Sequence, residues 1–456
     1  MHLFDNERVP IREKSKGPMN PYRILALSFL FVMGIGTILL MLPMAAADGR
    51  STSLVDAAFT AVSCVSVTGL AVLDTHTHWS MIGKWIMVGL IQLGGLGILT
   101  FTTLLALVFG RHLGLKNRLL IQEDVGSVNM SGLIQIVRKI AFLTFGVEFI
   151  GGIIYVIQLY PYIGEEAYYV GFMQAVSIFC NAGFVFFDNN LPYQMVTDWI
   201  FTINSCSLII IGGFGYISIF DLWNNRKDFR FINLLLNTKL MLVGTVGLIS
   251  VGTIAILLLE WSNPDTLGPL SYIDKFQAAL FQSITPRTAG MATLDYGQMH
   301  PITLFLTIIL MFIGAGPNST GGGIKITTAI LVLAASATVF TNENKVELYE
   351  RQIPTGIVFK AFGIVIFSIL MILFVTFVVT LDETDNFLKL LFEVTSAFGT
   401  VGLSTGITPT LTTVSKWMLI FMMFTGRIGV ITLLGTWGLR RKGTNRISYP
   451  EGQVML

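Results

Sequence analysis

Four short, largely apolar segments of this sequence end in a glycine that precedes a bulky apolar residue. The glycines are Gly69, Gly183, Gly290 and Gly402, and the residues that follow them are Leu70, Phe184, Met291 and Leu403. Subtracting their positions gives spacings of 114, 107 and 112 residues between successive glycines. A serine precedes the glycine by six residues in three segments (Ser63, Ser177, Ser396) and by seven in the third (Ser283). This near-constant period indicates four copies of one unit.

The chemistry that such segments offer is that of main-chain carbonyl oxygens. Glycine adopts a positive φ without steric cost, which lets successive carbonyl groups point the same way. Rings of carbonyl oxygens replace the hydration shell of an alkali cation. We therefore predict a selectivity filter for an alkali cation, formed by the backbone of Val67, Thr68, Gly69, Leu70, Asn181, Ala182, Gly183, Phe184, Thr288, Ala289, Gly290, Met291, Thr400, Val401, Gly402 and Leu403. The alternative is that these glycines only form turns and helix contacts.

The elements around these segments are those of a membrane protein. Of the 456 residues, 53% are hydrophobic and 12% are charged, whereas soluble domains contain about 25% charged residues. Eight stretches are long enough to cross a bilayer, at roughly 23–44, 82–109, 139–160, 196–220, 238–260, 302–340, 357–381 and 415–438. The three cysteines form no CxxC motif, the net charge of +2 does not favour nucleic acid as a partner, and the polar N-terminus lacks a cleavable signal.

The charge of the connections predicts the orientation of the chain. Alternate connections are rich in Lys and Arg, and these include Arg8, Arg12, Lys14, Lys16, Arg111, Lys116, Arg118, Arg226, Lys227, Arg230, Lys345, Arg351, Arg440, Arg441, Lys442 and Arg446. Because cytoplasmic loops hold the excess of basic residues, we expect a multi-pass protein of the cell membrane with both termini in the cytoplasm.

Each crossing that follows one of the four segments also contains a glycine cluster, as in LGGLGI at Gly94 and IGGFGY at Gly212. The predicted fold is an all-α membrane protein with four in-chain repeats of helix, re-entrant pore helix, filter loop and helix around a pseudo-fourfold axis. The predicted division is a cytoplasmic N-terminal tail at 1–20, repeats at 21–115, 116–230, 231–345 and 346–442, and a C-terminal tail at 443–456.

The inner helix of the third repeat is interrupted by GAGPNSTGGG at 314–323. Proline removes a helical hydrogen bond and glycine disfavours a helix, although apolar helix resumes at Ile324. We predict an intramembrane gate formed by Gly314, Ala315, Gly316, Pro317, Asn318, Ser319, Thr320, Gly321, Gly322 and Gly323, together with Lys325 and Arg427. A packing kink is the alternative, and a phosphate-binding loop is disfavoured because Ile324 separates Gly323 from Lys325.

Charges inside the apolar stretches mark further candidate residues. A charge near the bilayer centre is costly and faces a cavity or a partner, so Arg427 should bond carbonyl groups of the 314–323 loop or pair with Glu393. Lys325 either anchors that loop or extends to the membrane surface. Glu148 has no role that the sequence defines beyond a buried pair or a site related to sodium.

Several charged residues adjoin the predicted filter. Arg287 should brace the third turn. Three aspartates follow a glycine by five residues each, and they either concentrate cations at the entrance or are solvated loop residues: Asp74, Asp188 and Asp295. His76 and His78 have no further ligands nearby in the sequence, and we assign them no metal site.

The motifs VTGLAV, NAGF, PRTAGM and GTVGL, with GAGPNSTGGGIK and TGRIGV, resemble the filters, gating loop and last inner helix of the Trk/Ktr/HKT superfamily of potassium transporters. The match covers nearly the whole chain in order, and the eight crossings are most similar to the membrane subunit of Ktr systems. The resemblance implies potassium uptake, a homodimer with one pore per protomer, and dependence on or symport with Na+. It also implies a cytoplasmic RCK-type regulatory subunit that binds ATP/ADP or NAD(H), so that nucleotide is bound only by the partner.

The identity of the transported ion has one alternative within the same superfamily. There, a serine at the first filter glycine accompanies sodium permeation, and this chain has Gly69 at that position, which favours potassium. A sodium-selective or sodium/potassium transporter remains the alternative. We expect no covalently bound cofactor. An intramembrane enzyme is disfavoured because no HExxH motif occurs, and a carrier built of inverted repeats is disfavoured because all four units run in one direction.

Overall fold

The computed structural model describes residues 21–97, 133–341, 345–430 and 432–433, and these are mostly helical. The helices are α1 (Pro21–Met41), α2 (Leu54–Ser66), α3 (Met81–Leu96), α4 (Leu133–Ile163), α5 (Ala167–Phe179), α6 (Trp199–Phe214), α7 (Tyr216–Asn224), α8 (Leu236–Glu260), α9 (Tyr272–Ile284), α10 (Pro301–Phe312), α11 (Ile326–Thr341), α12 (Thr355–Asp382), α13 (Phe387–Gly399) and α14 (Thr413–Ile428). Strands β1 (Glu347–Leu348) and β2 (Arg351–Gln352) pair antiparallel. The helical fold class predicted from the sequence is thus confirmed.

Several sequence predictions fall outside the described residues. They are the tails at 1–20 and 443–456, the boundary between the first two repeats, and the basic residues Arg8, Arg12, Lys14, Lys16, Arg111, Lys116, Arg118, Arg440, Arg441, Lys442 and Arg446.

Four helical stretches of the described chain have the length and hydropathy needed to cross a bilayer. They are Tyr22–Met41, Ile134–Phe179, Leu236–Glu260 and Thr355–Asp382. Large apolar side chains such as Phe142, Leu258 and Phe374 are exposed on these helices, as expected for faces that contact lipid tails. The other four predicted crossings correspond to α3, to α6 with α7, to α10 with α11, and to α14, each shorter or interrupted within the described residues.

The interruptions occur at glycines. α3 ends before Gly97, α6 before Gly215 and α14 before Gly429, where φ is 81°, 93° and 80°. In the third unit the chain leaves the helix after Phe312 and resumes it at Ile326. The sequence predicted a break only in this third inner helix, and that prediction was too narrow. The other three also turn at a glycine because a positive φ is incompatible with a continuing right-handed helix.

Four shorter helices, α2, α5, α9 and α13, lie buried among the long ones, and we call them the support helices. Three begin with a side-chain cap, from Ser53, Ser271 and Asn386, which satisfies otherwise unpaired N–H groups of the first turn. α5 instead continues from α4 through a 3-10 turn. The main apolar core surrounds these helices and includes Phe59, Phe179 and Phe398.

Candidate functional site

The four glycines singled out by the sequence meet in a ring. Their φ angles are 90° at Gly69, 71° at Gly183, 76° at Gly290 and 91° at Gly402. A Cβ atom added to each would overlap a carbonyl oxygen of the next segment, in the order Ala182, Ala289, Val401 and Thr68. The contacts run from the first segment to the second, third and fourth and back to the first. The tertiary structure therefore closes a cycle, which we call the glycine ring, that accepts no side chain at these four positions.

The backbone before each glycine repeats an unusual conformation. Val67, Asn181, Thr288 and Thr400 have positive φ angles of 60°, 62°, 71° and 50°. Such angles are uncommon outside glycine and costly for a β-branched residue such as valine or threonine. Strain of this kind persists where the surroundings determine it and clusters at functional sites. Its presence at the equivalent position of all four segments is a structural repeat that the residue types alone do not indicate.

Serine hydroxyl groups on three of the support helices hold the backbone at the glycine or at the residue after it. The Ser63 Oγ donates to the Leu70 carbonyl oxygen over 2.8 Å and accepts from the Gly69 N–H over 3.0 Å. The Ser177 Oγ donates to the Phe184 oxygen over 2.8 Å, and the Ser396 Oγ accepts from the Gly402 N–H over 3.1 Å.

In the third segment this role belongs to Thr285. Its Oγ1 donates to the Met291 carbonyl oxygen over 2.6 Å. Ser283, which the sequence pairs with the other serines, instead donates to the Ile249 oxygen of α8 over 2.8 Å. Ser283 thus contacts α8 instead of the backbone after its glycine, because helix α9 already ends at Ile284, six residues before Gly290. The hydroxyl at Thr285, five residues before the glycine, was the available signal.

The side chains that follow the glycines are buried, as their apolar character predicts. Leu70, Phe184, Met291 and Leu403 are each at most 1% exposed. The carbonyl oxygens of the first three accept the hydroxyl hydrogen bonds described above, so these oxygens are engaged by the support helices. The oxygens of Thr68, Ala182, Ala289 and Val401 instead lie against the neighbouring glycines of the ring.

The 314–323 loop lies directly beside the ring. The Gly322 N–H donates to the Thr400 Oγ1 over 3.0 Å, and a Cβ atom on Gly321 would overlap the Thr288 Oγ1. Both threonines belong to the ring segments and lie two residues before Gly290 and Gly402. The loop therefore approaches the ring so closely that only glycine fits at these two positions.

Backbone hydrogen bonds connect this loop to the broken helix of the second unit. The Gly316 N–H donates to the Gly213 oxygen over 2.9 Å, and the Thr320 N–H donates to the Gly212 oxygen over 3.2 Å. In the opposite direction, the Tyr216 N–H donates to the Asn318 oxygen over 3.0 Å. The break at Gly215 frees the backbone groups that make these bonds.

Two basic side chains hold the same loop. The Arg427 guanidinium donates to the Thr320 oxygen and to the Gly94 oxygen of α3, and the Lys325 Nζ donates to the Gly321 oxygen over 2.7 Å. Together with the loop they line a cavity of about 250 Å³. Of the two expectations for Arg427, hydrogen bonding to loop carbonyls is the one observed, and Lys325 contacts the loop rather than extending away from it.

Glu393 belongs to a different network, with the chain that follows the fourth glycine. Its carboxylate accepts from the Ser404 Oγ over 2.6 Å, the Thr405 N–H over 2.9 Å and the Thr408 Oγ1 over 2.8 Å. The expected alternative pairing with Arg427 is therefore not observed. In the second segment, the Gln174 Oε1 accepts from the Phe186 N–H over 3.2 Å. Both residues precede their glycine by nine positions, a signal that the sequence analysis did not use for Gln174.

The remaining charged candidates make local contacts. The Oδ1 atoms of Asp74, Asp188 and Asp295 each accept backbone N–H groups of their own turns. Asp74 also lines a cavity of about 230 Å³ that includes Gly69 and Gly183. All three aspartates therefore cap their own turns, and a role in concentrating cations at the entrance stays a prediction.

Arg287, Glu148 and the two histidines also have defined partners. The Arg287 Nη2 donates to the Thr245 Oγ1 of α8 over 3.1 Å, which ties the third segment to that helix. The Glu148 carboxylate accepts from the Gln92 Nε2 over 3.3 Å. His76 contacts the Phe186 oxygen and His78 contacts the Thr52 Oγ1, and no cluster of three or more potential metal-ligating side chains occurs in the described part of the chain.

Comparison with known proteins gives a consistent family relationship. Residues 10–437 match the TrkH family of cation transport proteins. The chain is 39% identical to the Ktr system potassium uptake protein B of Bacillus subtilis, over 95% of this chain and 96% of that protein. It is 32% identical to the potassium/sodium uptake protein NtpJ of Enterococcus hirae, over 98% of this chain and 99% of that protein.

The fold also has a counterpart of known structure. It aligns with the crystal structure of the potassium transporter TrkH from Vibrio parahaemolyticus with a TM-score of 0.71, over 92% of this chain and 85% of that one. The sequence identity of this alignment is 18%, so it describes a similarity of fold.

Proposed function

Because this chain belongs to the TrkH family of cation transport proteins, we propose that it takes up potassium across the cell membrane through a single-file pore at the glycine ring. The relatives named as Ktr system potassium uptake proteins support potassium as the transported ion. The observation that carries the proposal is the cyclic contact of the four glycines with the carbonyl groups of neighbouring segments.

In this proposal the ions bind main-chain oxygens, and the filter consists of the sixteen residues named in the sequence analysis. The oxygens of Thr68, Ala182, Ala289 and Val401 are the strongest candidates among them. They surround the ring, whereas the oxygens of Leu70, Phe184 and Met291 are bonded to hydroxyl groups. The carbonyl oxygens of such a ring replace the water oxygens that K+ loses on partial dehydration.

The support helices contribute in two ways. Their C-terminal ends precede the ring residues, so the negative ends of four helix dipoles are directed towards a bound cation. Their hydroxyl groups fix the backbone of the filter, because a hydrogen-bonded loop keeps its carbonyl spacing with less rearrangement than an unsupported one. This combination supports the four-repeat arrangement, with repeats at 21–115, 116–230, 231–345 and 346–442 around a pseudo-fourfold axis.

We assign the 314–323 loop as the gate of this pore. It adjoins the ring through Gly321 and Gly322, and Arg427 and Lys325 hold it by its carbonyl groups. A positive charge at that position also opposes occupancy by a second cation. Displacement of the loop, with rupture of these hydrogen bonds, would open the route past the ring.

A regulatory partner and a dimer complete the proposal. The word "system" in the names of the Ktr relatives supports a further component, which we assign as a cytoplasmic RCK-type ring that binds nucleotide. The membrane subunit is a homodimer in this scheme, with both termini in the cytoplasm. Sodium dependence or symport remains part of the same proposal.

A combined sodium and potassium transporter is the second candidate. The observation in its favour is the similarity to the potassium/sodium uptake protein NtpJ of Enterococcus hirae, whose name includes both ions. The glycine at position 69 favours potassium, because a serine at this position accompanies sodium permeation in the superfamily that the chain resembles.

Isotope uptake distinguishes these functions. Cells that lack their own potassium uptake systems would express the chain with its natural regulator, and uptake of 42K+ and 22Na+ would be measured in competition. Potassium uptake that excess sodium does not suppress supports the first proposal, and equal uptake of both ions supports the second. Uptake of neither ion by well-expressed protein in the membrane would refute both.

A further inference from the structure

A basic and aromatic segment at 223–232 comprises the last two residues of α7 and most of the connection to α8. Its side chains are exposed with the exception of Asn225, which is half-buried. Trp223 is 65% exposed, Phe229 58% and Ile232 72%. Large apolar side chains this exposed are costly in water. Here Trp223 lies in the last turn of α7, and Phe229 and Ile232 lie on the connection to α8.

The charges of the same segment are mainly positive. Arg226, Lys227 and Arg230 are exposed, and Asp228 is the acidic residue among them. The Arg226 guanidinium lies 4.0 Å from the centre of the Trp223 ring. The Arg230 Nε is 3.4 Å from the Asp228 Oδ1, with both side chains at least 70% exposed, so this pair is weak and leaves the segment positive.

The position of the segment in the bilayer follows from the next helix. α8 begins at Leu236 and is one of the helices long and apolar enough to cross. The segment therefore lies where the chain enters the membrane, at the level of the lipid headgroups. Tryptophan and basic residues are favoured at that level, the ring in the interface and the charges beside phosphate groups.

The segment begins within α7 and is bonded to α8, and the two helices are also bonded to each other. The Lys239 Nζ of α8 donates to the Ile232 oxygen of the segment over 3.0 Å. The Asp221 carboxylate of α7 accepts from the Leu235 N–H, just before α8, over 2.9 Å. The Asn237 Nδ2 of α8 donates to the Ser218 Oγ of α7 over 3.1 Å. A force on the segment is therefore transmitted to α7.

The first residue of α7 contacts the 314–323 loop. The Tyr216 N–H donates to the Asn318 oxygen over 3.0 Å, and a Cβ atom on Gly215 would overlap the Pro317 oxygen. α7 is one short helix of nine residues, so it forms a direct connection from the membrane surface to the loop.

We propose that residues 223–232 bind the headgroups of anionic phospholipids in the leaflet that they face, and that this binding acts through α7 on the 314–323 loop. Anionic lipid fits both features of the surface, because phosphate matches the basic side chains and the acyl region matches Trp223, Phe229 and Ile232. A soluble partner would match the charges but would have to cover apolar groups already at the lipid boundary. The action on the loop rests on the proposed function, whereas the binding does not.

Fluorescence quenching tests the binding. The full chain would be reconstituted with brominated phosphatidylglycerol or brominated phosphatidylcholine, and the difference between wild type and Trp223→Phe would isolate the signal of Trp223. We expect half-maximal quenching at a mole fraction of the anionic lipid at least about tenfold lower than that of the zwitterionic one, since each basic residue near the surface contributes separately. Equal quenching by both lipids would overturn the proposal. Loss of the quenching by anionic lipid when the soluble regulator is added would also overturn it.

Three variants sharpen this experiment. The triple variant Arg226→Gln, Lys227→Gln and Arg230→Gln should lose the preference for the anionic lipid, and Asp228→Asn should increase it. Arg50→Gln, an exposed arginine on the connection after α1, is the matched control and should leave it unchanged. A triple variant with the wild-type preference would contradict the assigned site.

Potassium uptake into the same vesicles tests the connection to the loop. Uptake by wild type should rise with the fraction of anionic lipid, and uptake by the triple variant should not. The same dependence in both proteins would refute the connection while leaving the quenching result intact. Absence of uptake in every lipid would count against the proposed function, and the quenching experiment would still decide the binding.

Discussion

The carboxylate of Asp56 and the ammonium group of Lys416 form an ion pair 2.9 Å long across 360 residues of sequence. Asp56 lies in the first turn of α2 and Lys416 in the first turn of α14. The pair thus joins α2, which precedes the first segment of the glycine ring, to α14, which follows the fourth. These two segments are in contact in the ring but are the ends of the series along the chain. Both side chains are largely buried, at 22% and 15% exposure, so solvent screens the pair less than a surface one.

This ion pair should stabilise the closed ring. We expect Asp56→Asn and Lys416→Met each to lower the free energy of unfolding, with a coupling energy of about 1 kcal/mol in a double-mutant cycle. Thermal unfolding of the purified protein in detergent measures the cycle. Strictly additive effects of the two substitutions would show that the pair contributes nothing to closure.

A side chain at the glycine ring should abolish transport. In Gly69→Ala the new Cβ would overlap the Ala182 oxygen, which is a proposed ligand and must move away. The φ of 90° at this position adds a backbone strain of about 1–3 kcal/mol for alanine. We expect potassium uptake to fall at least about tenfold. Gly89→Ala, in an open position of α3, is the matched control. Normal uptake by well-expressed Gly69→Ala would remove the ring from the mechanism.

Thr285, rather than Ser283, should determine how well the third segment is held. Thr285→Val removes the hydrogen bond to the Met291 oxygen, worth about 1 kcal/mol, and should lower the preference for potassium over sodium about fivefold. Thr285→Ser should retain most of it. Ser283→Ala should change the preference less than about twofold, and competition uptake assays compare the three. A larger effect at Ser283 would return the role to the serine.

Release of the 314–323 loop should increase flux. Arg427→Gln weakens the hydrogen bonds to the Thr320 and Gly94 oxygens, and deletion of 317–323 removes much of the loop. We expect the maximal rate of uptake to rise about threefold or more for the substitution, since one charge-assisted hydrogen bond contributes about 1.5–3 kcal/mol. Tracer uptake measures the rate, and unchanged kinetics in both variants would be incompatible with a gate.

The buried carboxylate of Glu393 should matter for stability. Its three hydrogen bonds hold the chain after the fourth glycine, and loss of a buried acceptor leaves donors unsatisfied at about 1–3 kcal/mol. Glu393→Ala should therefore lower the melting temperature more than Glu393→Gln, which keeps one carbonyl acceptor. Asp385→Asn is the control. Equal melting temperatures for all three variants would show that the network carries no net stability.

The sequence by itself indicated which backbone segments belong together. The period of the four glycines, with a hydroxyl before and a bulky residue after each, follows from a local conformation that every unit must adopt. Similarly, the composition of 314–323 excludes a continuous helix wherever the chain places it. The long apolar helices were also predictable, because the thickness of the bilayer sets the length of an apolar stretch that crosses it.

The tertiary structure decided the relationships between units. Only the tertiary structure shows that Thr285, and not Ser283, bonds the Met291 oxygen, because this depends on where α9 ends and how it packs against α8. The acceptors of Arg427 and Glu393, the backbone bonds between the loop and the break at Gly215, and the ion pair of Asp56 join residues far apart in the chain. A repeated pattern fixes the conformation within each unit, whereas contacts between units depend on distances and directions that no local pattern contains.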